Sequence, residues 1–152
     1  MTGEKGLVPD PYLNGAGIHS TGPGGFLKMH ADFNWHKQLR LYRRLNLLIY
    51  LNRDWDEKWG GNLDLAYGTD DGELDVQKSV YPHFNTTVLF TTDDTSFHGQ
   101  PEAMDLPAGI TRNSIALYYY VAEKPATLGD EKRVGTDYRK LSGEKLSRRN
   151  PT

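Results

Sequence analysis

His30 and Asp32 stand two residues apart in the run Phe-Leu-Lys-Met-His-Ala-Asp of residues 26–32, and His98 lies far downstream in Thr-Ser-Phe-His-Gly-Gln of residues 95–100. Alternate positions of a strand share a face, so His30 and Asp32 can enter one cavity if this run is extended. Folding that brings His98 to them would present two imidazoles and one carboxylate. That donor set suits non-haem Fe(II) and leaves adjacent coordination positions open for chemistry. On spacing alone the alternative stays open: a surface histidine, an aspartate capping its own turn, and an unrelated histidine.

A second group lies near the end of the apolar part of the chain. Arg112 and Ser114 are two residues apart, so on a strand a guanidinium and a hydroxyl face the same way. A guanidinium grips a carboxylate through two parallel hydrogen bonds, as an ammonium does not. Directed into a barrel it requires either an anionic ligand or an internal acid, because an uncompensated buried charge is costly. Tyr50 is a third piece. In Asn-Leu-Leu-Ile-Tyr of residues 46–50, alternation places Asn46, Leu48 and Tyr50 on one face. A phenol there needs a hydrogen-bond partner, either the same carboxylate or a backbone group.

The elements that must position these residues read as strands. Residues 15–20 form a first short strand. Thr-Gly-Pro-Gly-Gly of residues 21–25 is a strong turn signal, and the strand bearing His30 follows. Residues 33–42 read as a mixed polar and aromatic loop. Residues 44–52 are the most apolar run and fit a strand buried on both faces. Further strands are expected over 62–67, 79–81 and 85–91, a short one around His98, and a last one over 112–121. Pro101 and Pro107 mark a loop before that last strand. Residues 1–12 read as an N-terminal arm, 13–121 as the domain, and 122–152, richer in Lys and Arg, as a peripheral, partly disordered tail. About eight short strands separated by turn signals, with little helix, imply an all-β sandwich or jelly roll.

Composition narrows the chemistry. The chain has 152 residues, enough for one domain with a core. It has no cysteine, which excludes disulfides, zinc–thiolate sites, iron–sulfur clusters and a thiol nucleophile. A formal net charge of −2 does not point to nucleic acid or a membrane surface. No stretch approaches the ~20 apolar residues of a membrane span. The first residues have no apolar signal region, so a cytoplasmic location is expected.

Taken in order, several segments resemble the iron(II)- and 2-oxoglutarate-dependent dioxygenases, in the prolyl-4-hydroxylase-like branch. They are residues 24–34 around His30 and Asp32, 43–52 ending in Tyr-Leu-Asn, Trp-Gly-Gly-Asn-Leu-Asp-Leu of 59–65, 84–90, Phe-His-Gly-Gln-Pro of 97–101, and 112–120 with Arg112 and Ser114. The resemblance covers roughly residues 13–121. It implies a double-stranded β-helix, a cupin-like jelly roll of two four-stranded sheets. It implies that His30, Asp32 and His98 hold Fe(II), that 2-oxoglutarate chelates the metal while its far carboxylate meets Arg112, Ser114 and Tyr50, and that O2 is the oxidant. Ascorbate is a further expected accessory. The reaction so implied hydroxylates a C–H bond of a peptide side chain, prolyl-like, or of a small metabolite, releasing succinate and CO2. The intact Asp32 argues against the related halogenases, which vacate that position.

Two departures from the family accompany the likeness. Its members carry helices before the barrel that cover the larger sheet, whereas only about a dozen residues precede the first strand here. A missing N-terminal segment or a homo-oligomer is therefore expected to cover that face. The interval from His98 to Arg112 is also long, with residues 102–111 as an insert. Trp35, His36, Arg43 and Lys28 are candidate substrate residues, because they flank the metal ligands in sequence or face the barrel mouth; ordinary packing is the alternative for each. His19 and His83 read as bystanders, and Tyr118, Tyr119 and Tyr120 as sheet packing. The rival reading is a non-catalytic jelly-roll binding module or a degraded oxygenase. Imidazole ligation implies loss of metal below about pH 6.

Overall fold

The computed structural model describes residues 3–70 and 72–138. Eleven strands follow one another: β1 (Val8–Pro9), β2 (Gly17–Thr21), β3 (Leu27–Ala31), β4 (Trp35–His36), β5 (Leu41–Tyr50), β6 (Leu63–Gly68), β7 (Leu74–Val80), β8 (Thr87–Thr91), β9 (Ser96–Gln100), β10 (Arg112–Val121) and β11 (Asp137–Tyr138). Among the described residues the only helical turn is a 3-10 turn, Glu57–Trp59, capped by the Asp56 carboxylate. No helix among them is long and apolar enough to cross a membrane.

The strands form two antiparallel sheets. In one, β2–β10–β5–β8 form the body, with β1 also against β10 and β4 also against β5. In the other the order is β11–β3–β9–β6–β7. From β2 to β10 the chain passes back and forth between the sheets, which is the winding of a double-stranded β-helix. β5 and β10, ten residues each, run side by side through the first sheet, with Ser114 opposite Tyr50. The inward residues of β5 and β8 meet those of the second sheet in an apolar floor: Tyr50, Leu63 and Val88, joined by Leu48, Leu65, Val80 and Phe90. Met29, Ala31, Ala66 and Phe97 pack together on the opposite face of β3, β9 and β6 from the histidines.

Several expectations change in the structure. β5 is buried on its inward face, but Leu47 and Ile49 are only half-buried outward. With Ile115 and Leu117 of β10, and the exposed Ile18 and Leu89, they make an apolar outer face. Residues 33–42 contain β4, a short hairpin partner of β5. β7 is longer than the expected 79–81, and almost all of it is exposed. It is an edge strand carrying Asp75, Gln77 and Lys78, so polarity hides its strand character. The arm enters the first sheet through β1, and Asp10 behind it is buried. The insert is a packed loop whose Met104 and Leu106 bury Trp55 against Trp59. The segment after Val121 is not wholly peripheral: it returns to add β11 to β3. The rest of the expected tail, residues 139–152, lies outside the described residues, as do residues 1 and 2 of the arm.

Candidate metal centre

His30 lies on β3, Asp32 just beyond its end, and His98 on β9 directly across from His30. The close approach of these strands depends on Gly99. A Cβ there would stand 2.8 Å from the Leu27 carbonyl oxygen and 2.9 Å from Lys28 backbone atoms. The imidazole centroids are therefore only 4.3 Å apart. Asp32 Oδ1 is 3.7 Å from His30 Nε2 and Oδ2 is 3.6 Å from His98 Nε2. One donor atom from each of the three residues falls within a 4.8 Å cluster.

Each member is held in a state fit for ligation. His30 Nδ1 lies 2.8 Å from the Lys28 carbonyl oxygen, which requires the proton on Nδ1 and leaves the Nε2 lone pair facing the cluster. Burial pushes the His98 imidazole down to about 3. The Asp32 carboxylate opposes that shift, while His30 and Arg43 add to it, so this ring is neutral at physiological pH. Burial alone would raise the Asp32 pKa, but His98, Arg43, His30 and the Asn46 hydrogen bond outweigh it and hold it below its ordinary value. Asp32 Oδ2 accepts from Arg43 at 2.9 Å and from Asn46 Nδ2 at 2.7 Å, while Oδ1 has no hydrogen-bond donor among the described residues. Arg43 itself donates to Asn46 Oδ1 from Nε and Nη2, and its guanidinium lies between the rings of Phe33 and Tyr118.

The triad opens into a cavity of about 130 Å³ that reaches Tyr50, Arg112 and Ser114. Arg112 donates from Nε to the Gly61 carbonyl at 2.7 Å and from Nη2 to the Tyr50 hydroxyl at 3.2 Å. No carboxylate among the described residues pairs with it, so the internal acid that the sequence left open is absent from that set. Burial raises the Tyr50 pKa against the opposing pull of Arg112, so the phenol keeps its proton. Because its oxygen accepts from Arg112, that proton is available for an anion in the cavity.

The candidate substrate residues scatter. Arg43, at 1% exposure, is committed to Asp32 and Asn46 and does not reach for substrate. His36 is buried between Tyr12 and Tyr120 with Nε2 3.6 Å from Asp10, away from the metal cavity. Lys28 acts through its carbonyl on His30. Trp35 lines a separate cavity with Tyr12, Phe33 and Val134, its ring 3.7 Å from the Lys132 ammonium. Residues not singled out from sequence also line the metal cavity, among them Asn46, Gln100, His19 and Tyr118. Tyr118, read from sequence as sheet packing, and His19, read as a bystander, therefore both border this cavity. The parity of Asn46 with Tyr50 was a usable signal, and so was the two-residue step from Arg112 through Ser114 and Ala116 to Tyr118.

The family model of the 2OG-Fe(II) oxygenase superfamily matches residues 16–120. Prolyl 3-hydroxylase OGFOD1 of Xenopus laevis is 35% identical over 80 residues, 51% of this chain and 15% of that protein. The Mus musculus protein of the same name is 36% identical over 80 residues, 51% of this chain and 14% of its own length. This chain thus spans a small fraction of these curated relatives. A Trichoplax adhaerens prolyl hydroxylase, solved with a hypoxia-inducible-factor oxygen-degradation-domain peptide fragment, superposes with a TM-score of 0.51 at 23% identity, covering 68% of this chain and 41% of that one. A prolyl 4-hydroxylase from Phytophthora capsici gives 0.50 at 23% identity, covering 69% and 31%. These two likenesses establish the fold. Because the family match runs unbroken from before β3 through nearly all of β10, the chain belongs to the 2OG-Fe(II) oxygenase superfamily.

Proposed function

We propose that this chain hydroxylates a C–H bond of a prolyl-like residue in a peptide, consuming O2 and 2-oxoglutarate and releasing succinate and CO2. Fe(II), 2-oxoglutarate and O2 are the reagents of the superfamily, and the His-Asp-His group fits the metal. The observation that carries the reading is Arg112: a half-buried guanidinium without a carboxylate partner among the described residues, in the same cavity as His30, Asp32 and His98. A lone metal binder does not need it; a site for a metal and a second acid together does.

With Fe(II) and 2-oxoglutarate bound, the centre supplies the oxidising power that inserts one oxygen atom of O2 into the C–H bond and places the other in succinate. The protein's part is arrangement. Arg43 and Asn46 occupy Asp32 Oδ2, so Oδ1 is left to the metal. The Lys28 carbonyl fixes the His30 tautomer. Arg112 and the Tyr50 proton would hold the distal carboxylate of the keto acid, with Ser114 alongside in the same cavity. The support for a prolyl substrate is the identity to prolyl 3-hydroxylases.

The test is anaerobic addition of Fe(II) and 2-oxoglutarate, followed by air and a panel of proline-containing peptides. A weak visible charge-transfer band, and succinate formed in step with a hydroxylated peptide, are expected. No band and no succinate from the wild-type chain would overturn the reading. Mn(II) with 2-oxoglutarate at 100 times its dissociation constant should add ~2.7 kcal/mol of stability.

A further inference from the structure

We propose that the C-terminal segment 129–138 is a working part of the metal centre: through Asn34 and β11 it positions two of the three ligand residues, Asp32 and His30. The inference rests on the metal reading above and extends it to a segment outside the matched residues 16–120.

The three ligands differ in how the barrel holds them. His98 sits on β9, between β3 and β6 inside the second sheet. His30 sits on β3, whose only other neighbour among the described residues is β11, with Tyr138 opposite His30 and Asp137 opposite Ala31. Without β11, β3 would be an edge strand, and edges are where sheets fray. Asp32 lies past the end of β3, outside any ladder. The loop that carries it is fastened two residues later, at Asn34.

Asn34 is 3% exposed and almost wholly engaged with the C-terminal segment. Its side-chain oxygen accepts from Arg133 N at 2.8 Å, and its amide donates to the Glu131 carbonyl at 3.1 Å. Its backbone N–H and that of Trp35 both donate to the Arg133 carbonyl, at 3.0 and 3.1 Å. Its own carbonyl accepts from Arg43 N at 2.9 Å, so it also joins the segment to the residue that clamps Asp32. Asp94, in the turn between β8 and β9, closes the latch. It accepts from Gly129 N and from Arg133 Nη2, each at 2.6 Å, and from Asn34 Nδ2 at 3.4 Å. These bonds span 97 to 99 residues of sequence at Asn34, so only the folded chain makes them. Partners that orient metal ligands from behind typically change metal affinity 10–100-fold when removed.

The test uses the full chain and the metals Mn(II) and Co(II) alone. Asn34→Ala and Arg133→Ala are compared with wild type by calorimetric Mn(II) titration and by the visible spectrum of bound Co(II). Arg133→Lys, which keeps a cation for Asp94, is the conservative control. We expect the alanine variants to bind Mn(II) at least ~10-fold more weakly and to show an altered Co(II) spectrum, with Arg133→Lys close to wild type. If Asn34→Ala does not fold, Arg133→Ala, which leaves every backbone bond of the latch in place, decides alone. Folded alanine variants with wild-type affinity and an unchanged Co(II) spectrum would overturn the inference while leaving the metal reading intact. A wild-type chain that binds neither metal would overturn both.

Discussion

The Arg43 guanidinium lies 2.9 Å from Asp32 Oδ2, and both side chains are withdrawn from solvent. The pair joins β5 to the loop that carries a candidate metal ligand, so one contact serves both the fold and the candidate site. Arg43→Ala should leave a buried carboxylate without its cation, a loss on the order of 3–5 kcal/mol. Metal affinity should fall ~10–100-fold as Asp32 loses its orientation. Urea denaturation and Mn(II) titration check the two effects. A change confined to peptide KM would restore the sequence-based view of Arg43 as a substrate reader.

Arg112 separates an oxygenase from a metal-dependent hydrolase or isomerase on the same fold. Arg112→Ala removes the cation facing the cavity and should cost about 2–5 kcal/mol of 2-oxoglutarate binding. Mn(II) affinity should stay near wild type, because Arg112 contacts Gly61 and Tyr50 and none of the three metal residues. Titrating the charge-transfer band with 2-oxoglutarate measures the loss.

Acid should destabilise the metal-free protein over a defined window. His98 is held down to about 3 in the folded chain, against 6.5 when exposed. Between those values the unfolded chain binds the extra proton, so stability falls as pH falls through the window, and the His98 contribution is complete above 6.5. The lowered Asp32 pKa adds a loss of the same sign below 3.8. Urea midpoints should therefore rise from pH 4.5 to 6.5, and His98→Gln should flatten that rise. At pH 5 the folded protein keeps His98 neutral, so this ligand does not drive the release of metal that free-imidazole behaviour implies near pH 6.

Gly99→Ala should act on the metal centre without touching a ligand. Its new Cβ would press on the backbone of residues 27 and 28 and force β9 away from β3. Overpacking of this kind costs about 1–3 kcal/mol. The His30 and His98 rings should separate, so thermal melting and Mn(II) affinity should decline together.

Much of the barrel could be read from the chain because its strands announce themselves locally. β5 and β10 are long β-branched, leucine-rich and aromatic runs, and Gly and Pro mark the turn before β3. β7 could not be read so, since an exposed edge strand carries charge where a core strand carries apolar alternation. β11 could not either, because two residues have no periodicity and draw their order from β3.

The sequence by itself determined the types of chemistry available: His30 and Asp32 at strand spacing, His98, and the Arg112–Ser114 step with Tyr50. Side-chain alternation is a local property, so spacing alone states which of these can share a face. Tertiary structure decided which partners they meet. It gave Arg43 to Asp32 rather than to substrate, buried His36 against Asp10, left Arg112 without a carboxylate among the described residues, and tied Asn34 to Arg133 across 99 positions. Such contacts depend on how two sheets close over each other and where the chain returns. No local pattern encodes them, because the desolvation and charge compensation that select them exist only once the barrel has formed.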